Sequence, residues 1–380
     1  MNIFYESLEL LKKDRVTTDN FIFKLHYKFT VFFLVISAAM SGLPQLFGSA
    51  IHCTTSELDL EKSGQIGYFE LYCWIHSKFI LPETSVFTNH KIGVDIAYPG
   101  IGPYTTKDKA KSIKYYEFVV FFLLLQALLF YIPRYIWRMW ESNRMEMLLR
   151  NLDLPIDNTD KRKTEIKLVL NHLEDYRGEN KVYVSVYFIC ELLNCLNVLF
   201  QAYIVNVFLG YEFTTYGSHV AQFLYQDPEE RLDPMARVFP KQTKCTFHAY
   251  GSSGSIQRRD IFCLLPLNNV NEKIYVFMWF WFVVLFSLSL LAVTYRLIFF
   301  FSTAVRRTSL GARARLVSDK QINIVSQKCE AGDLFLLILL AKNMDPVVFR
   351  ELINNLTSRF YGSELPEIQM VSDQSFTIFD

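Results

Sequence analysis

Charge is scarce in this chain. Of its 380 residues only 20% are Asp, Glu, Lys or Arg, against about 25% in soluble domains. Nor does one sign dominate. The 39 Lys and Arg face 38 Asp and Glu, so no overall surplus exists to hold a phosphate backbone, and nucleic acid is not an expected partner. Glycine and proline are few, at 15 and 12, which excludes a low-complexity or disordered chain. Neither G-x-G-x-x-G nor G-x-x-x-x-G-K-[ST] occurs, so the phosphate-cradling loops of nucleotide enzymes are missing. The seven histidines are scattered. They suggest no Ser/His/Asp, metal or paired-carboxylate constellation, and neither catalysis nor a cofactor is expected. What abounds is apolar surface: 51% of residues are hydrophobic, with 34 Phe and 21 Tyr.

That surface is gathered into long runs. Residues 29–51 are uncharged throughout, and at about 1.5 Å per helical residue they reach across a hydrocarbon core of roughly 30 Å. Residues 115–133 form a second run, with Tyr115, Tyr116 and Tyr131 as interfacial aromatics and Glu117 at the rim. Residues 182–211 form a third, interrupted by Glu191, and residues 274–295 a fourth. Four spans put segments 1–28, 134–181 and 296–380 on one side, and loops 52–114 and 212–273 on the other. The first set carries 25 Lys and Arg, the second 14. The excess of positive charge makes the termini cytoplasmic and the two loops extracellular. Cytoplasmic helices are expected over 161–177, where Ile166, Val169, Leu170 and Leu173 fall on one face, and around Val348, Leu352, Leu356 and Phe360.

Cysteines support the same layout. Cys53 and Cys73 lie in the first loop, Cys245 and Cys263 in the second. In an oxidising compartment they are expected as disulfides. Four cysteines allow three pairings, two of which tie the loops to each other. A zinc set built from Cys73-x-x-His76 and Cys245-x-x-His248 competes, but it strands Cys53 and Cys263 as thiols.

Several motifs then resemble one family, the innexins of invertebrate gap junctions, nearly from end to end. Thr18-Asp19-Asn20 resembles the family's N-terminal stretch, and Cys73-Trp74-Ile75-His76-Ser77 its first-loop signature. Tyr115-Tyr116-Glu117-Phe118-Val119 is similar to its Y-Y-Q-W-V, with Glu for Gln and Phe for Trp. Lys244-Cys245-Thr246-Phe247-His248 and Leu265-Pro266-Leu267-Asn268 also resemble it. The resemblance implies an all-α membrane protein: a four-transmembrane-helix, large-pore channel subunit with disulfide-tied extracellular loops and a helical cytoplasmic domain. It further implies a homo-oligomeric or hetero-oligomeric ring of about eight subunits in the plasma membrane. Such a ring docks with a hemichannel of the opposing cell at a gap junction and passes ions and small solutes passively. A four-span junctional adhesion or scaffold protein without a pore is the alternative.

For a channel, Ser37, Ser41, Gln45 and Ser49 recur every four residues as a polar stripe on the first span, expected to line the pore, with packing of small residues against a neighbouring helix as the alternative. An amphipathic N-terminal segment would bring Asp14 and Asp19 to the entrance. Glu191, with Asn194, Asn197 and Gln201, gives the third span a polar face directed at protein or water. Pro133 is expected to kink or end the second span, and Glu117 places a carboxylate at an interface; these two and Glu191 are the helix-kink or gating candidates. Membrane lipid is the remaining expected partner.

Overall fold

The computed structural model of the chain defines residues 16–48, 50–54, 66–76, 78–80, 101, 111–113, 115–149, 159–225 and 234–361. Four helices are long and apolar enough to cross a membrane: α1 (Phe21–Phe47), α3 (Val119–Glu141), α6 (Asn180–Phe208) and α9 (Pro266–Phe301). Each continues past one end of the apolar run that marked it, and α9 past both. An apolar run records only the part in hydrocarbon, whereas helical hydrogen bonding continues through polar flanks.

Pro133 illustrates the difference. It does not end α3, which continues to Glu141. Proline has no N–H for the carbonyl four residues back, here Leu129. On α6, Asn197 donates its Nδ2–H to that Leu129 oxygen at 3.2 Å, so a neighbouring helix supplies the missing donor. Helix α1 contains a π-helical turn at Leu25–Thr30. There the Thr30 hydroxyl donates to Leu25 O at 2.9 Å and accepts from Trp281 Nε1 at 2.9 Å.

The chain divides into two compact units. One comprises Lys24–Ile132 and Asn194–Ser289. Its membrane core joins Leu34 and Ala38 of α1, Leu123, Ala127 and Phe130 of α3, Val198 and Val205 of α6, and Tyr275, Met278, Phe282 and Leu285 of α9. Helix α7 (Phe213–Tyr225) adds Phe213, Tyr216 and Val220 to that core. Its Gly217 lies under the Trp279 indole, where a Cβ would come within 2.1 Å of ring carbons.

The loops of this unit hold the sheet, which has no counterpart in the helical fold expected from the sequence. Its strands are β1 (His52–Thr54), β2 (Lys78–Ile80), β3 (Lys111–Ile113), β4 (Gln242–Tyr250) and β5 (Ile256–Leu264). They run in the order β1-β5-β4-β2-β3 and pair antiparallel. The second-loop hairpin β4–β5 lies between first-loop strands, β1 on one side and β2–β3 on the other, and helix α2 (Ile66–Ile75) contributes Phe69 and Cys73 to the core beneath.

The other unit comprises Met1–Phe23, Pro133–Leu193 and Leu290–Asp380. It contains α4 (Arg144–Leu149), α5 (Thr159–Asp175), α10 (Thr303–Gly311), α11 (Asp319–Lys328), α12 (Ala331–Asn343) and α13 (Pro346–Tyr361). The four apolar positions expected on one face of α5 are all buried. Helix α12 is buried from Gly332 to Leu340, with α5 and α13 joined by Arg359 to Glu174 at 2.5 Å.

Candidate functional site

The densest set of polar contacts in the second unit surrounds residues 17–20, at the start of the first span. Asn20 caps α1: its Oδ1 accepts from Phe23 N at 2.6 Å, satisfying one of the helix's free donors. The same side chain donates Nδ2–H to Glu191 Oε1 at 2.6 Å, and its backbone N–H donates to Tyr187 OH at 3.1 Å. Glu191 in turn holds Arg296 through two parallel bonds of 2.9 Å, from Nε to Oε2 and from Nη2 to Oε1. This fork is the strong, oriented form of an ion pair. The guanidinium also lies over the rings of Phe335 and Tyr187.

Asp19 is anchored just as firmly. Arg134 Nη1 approaches its Oδ1 at 2.5 Å, and Thr18 Oγ1 donates to the same oxygen at 3.2 Å. Lys342 donates to the Asp19 carbonyl at 2.6 Å. Asn343 makes a two-way contact with Thr17, accepting from its N–H at 2.7 Å and donating to its carbonyl at 3.1 Å. The entering chain is therefore gripped by α3, α6 and the end of α12, with Arg296 of α9 holding Glu191 in place.

Two of the expected channel features lie in closed surroundings. Asp19 is only 2% exposed and ion-paired, so it presents no free charge to an entrance. Ser37 and Ser41 are 2% and 1% exposed; Ser41 donates to Asn271 Oδ1 on α9 at 3.0 Å. Both serines face protein within this chain. A period of four identifies a polar face without identifying what that face meets. Gln45 is half-buried. Asp14 and Ser49 fall outside the described residues, as does the amphipathic segment before residue 16. Glu191 faces protein, and the Glu191–Arg296 partnership was hidden because the two residues lie 105 positions apart. Lys342 and Asn343 carry no sequence signal for their role. Only the turn of α12 toward residue 17 makes them visible.

In the first unit, Cys53 bonds Cys263 and Cys73 bonds Cys245. Both bridges join one loop to the other. With Cys73 and Cys245 bonded together, the zinc set loses both its thiolates. Next to the second bridge, Lys78 is 0% exposed. Its ammonium donates to Trp74 O at 2.8 Å and to Glu117 Oε1 at 3.2 Å, and lies 3.9 Å from the Tyr116 ring centroid. Burial pulls its pKa down to about 8, and the Glu117 carboxylate limits the drop. Glu117, one of the expected gating residues, thus ties the sheet to the residues that lead into α3.

Four apolar spans whose loops are crosslinked into one folded layer define a polytopic membrane protein with a covalently braced loop domain. Comparison with known sequences narrows the class. A sequence model described as "Innexin" matches residues 19–360. Innexin inx2 of Schistocerca americana is 44% identical over 365 residues, covering 96% of this chain and 99% of that protein. Innexin inx2 of Drosophila melanogaster is 42% identical over 364 residues, covering 96% and 97%; Innexin shaking-B of the same fly is 39% identical over 361, covering 94% and 95%. The chain belongs to the innexin family, whose members are channel subunits of gap junctions.

Proposed function

We propose that copies of this chain assemble in the plasma membrane as a ring of about eight subunits, alone or with other innexins. The termini face the cytosol, where Lys and Arg concentrate, and the braced loop domain faces outward to meet a hemichannel of the neighbouring cell. Ions and small solutes pass down the axis by passive conduction, with selectivity set by width and lining.

The observation that carries the reading is the grip on residues 17–20 by α3, α6 and α12. A conduit whose mouth is formed by the chain's N-terminal segment needs that segment fixed at its root. The root is fixed by an ion pair, a helix cap and a two-way amide contact. Asp14, Gln45 and Ser49 stay the candidate lining residues of this proposal. Glu191 and Pro133 act on the mouth by positioning helices.

Paired cells lacking native junctions test the proposal. Expression should produce conductance and dye transfer between the partners. Junctional plaques with no current would favour the adhesion alternative.

A further inference from the structure

No acidic residue lies between Glu272 and Asp319, yet that stretch contains Arg296, Arg306, Arg307, Arg313 and Arg315. Arg296 is committed to Glu191. Among the described residues the other four have no carboxylate within ion-pair distance, and Arg307, Arg313 and Arg315 are exposed. Arg306 Nε is buried without a hydrogen-bond partner. A run of unopposed positive charge repels itself, and a protein keeps one more readily where a counter-charge arrives from elsewhere.

The fold indicates where that counter-charge resides. Helix α9 ends at Phe301, and Ser302 breaks the chain in extended conformation while its hydroxyl accepts from Val305 N to cap α10. The Tyr295 and Ser309 hydroxyls are 2.7 Å apart, so α10 folds back beside the last turns of the fourth span. Leu297, Ile298 and Phe301 on those turns are exposed apolar residues, Phe301 at 86%. Unopposed arginines are therefore set level with the end of an apolar, lipid-facing surface, the height at which phospholipid headgroups lie.

We propose that α10 and the α10–α11 turn form a binding site for anionic phospholipid headgroups of the leaflet into which the fourth span emerges, with Arg306, Arg307, Arg313 and Arg315 as the cationic contacts. The site rests on the four-span membrane reading, and the cytoplasmic orientation proposed above makes the leaflet the one rich in anionic lipid. Its occupant is lipid and not a soluble polyanion, because the charge continues a surface already committed to acyl chains.

Lipid retention by the full-length protein in uncharged detergent, measured by native mass spectrometry, tests the site without reference to conduction. Phosphatidylserine should be held in preference to phosphatidylcholine of matched chains. The triple variant Arg307→Gln, Arg313→Gln, Arg315→Gln should lower phosphatidylserine affinity on the order of a hundredfold, at roughly fivefold per arginine, and leave phosphatidylcholine unchanged. The single Arg313→Gln, with a loss of about fivefold, serves if the triple variant fails to assemble. Equal retention of both lipids by the wild type, or wild-type affinity in the variants, would overturn the site. So would arginine-dependent binding of inositol hexakisphosphate without retention of phosphatidylserine.

Discussion

Removing one member of the Glu191–Arg296 pair should damage the protein more than removing both. In Glu191→Leu, a guanidinium 8% exposed loses two bonds of 2.9 Å and, among the described residues, has no other carboxylate within ion-pair distance. Uncompensated burial of this kind costs about 3–5 kcal/mol. Asn20 loses its acceptor as well, adding roughly 1 kcal/mol for an unsatisfied amide. In Glu191→Leu with Arg296→Met, both charges leave together, and a well-packed apolar pair is often neutral or better. The residual loss should then be only the Asn20 amide. A double-mutant cycle on the thermal stability of the purified assembly reads the difference, with an expected coupling of at least about 2 kcal/mol. A second reading follows the entering chain. Thr18→Cys is almost buried in the wild type and should react slowly with a thiol reagent, but quickly once Glu191 is replaced. Background from Cys329 is small, since burial and the nearby Asp333 push that thiol up to about 12. Additive losses in the cycle, or labelling of Thr18→Cys that ignores Glu191, would refute the grip.

Three further outcomes follow from single contacts. Asn197→Ala orphans the Leu129 carbonyl and should cost about 1–2 kcal/mol; adding Pro133→Ala supplies a backbone N–H to the same oxygen and should recover most of the loss in thermal unfolding. Gly217→Ala places a carbon 2.1 Å from the Trp279 ring and should cost about 1–3 kcal/mol by overpacking, with the smaller Trp279→Leu relieving the clash; normal assembly of Gly217→Ala on size-exclusion chromatography would contradict that contact. Lys78 sets a pH dependence whose sign is fixed by its lowered pKa. Between its folded value near 8 and its ordinary value of 10.5, the unfolded chain binds more protons, so stability should rise with pH across that window. The rise is at most about 3 kcal/mol. Thermal unfolding from pH 7.5 to 10.5 should show it in the wild type and lose it in Lys78→Met.

The membrane architecture was legible because hydrocarbon imposes a long, uncharged run that no local contact can disguise. The two pairs of cysteines were equally plain, though not their partners, since pairing depends on the second-loop hairpin lying between first-loop strands in one sheet. That sheet itself escaped notice: β1, β2 and β3 are three residues each, too short for an alternating pattern to register. Polar positions inside and beside the spans were legible, but their partners were not. Ser41 and Asn271 lie 230 residues apart, Asp19 and Arg134 lie 115 apart, and side-chain partners at such separations leave no periodic trace in one sequence. A polar residue in a span must meet water or protein, and only the folded neighbours decide which.

The claim beneath all of this is that the chain surrounds a water-filled path. Imaging purified full-length assemblies along the membrane normal tests it most directly. The account predicts a closed ring with an open axis bordered by α1 and by the segment rooted at Asn20. A particle whose four spans pack into a solid centre, with residues 17–20 remote from any axial opening, would contradict it.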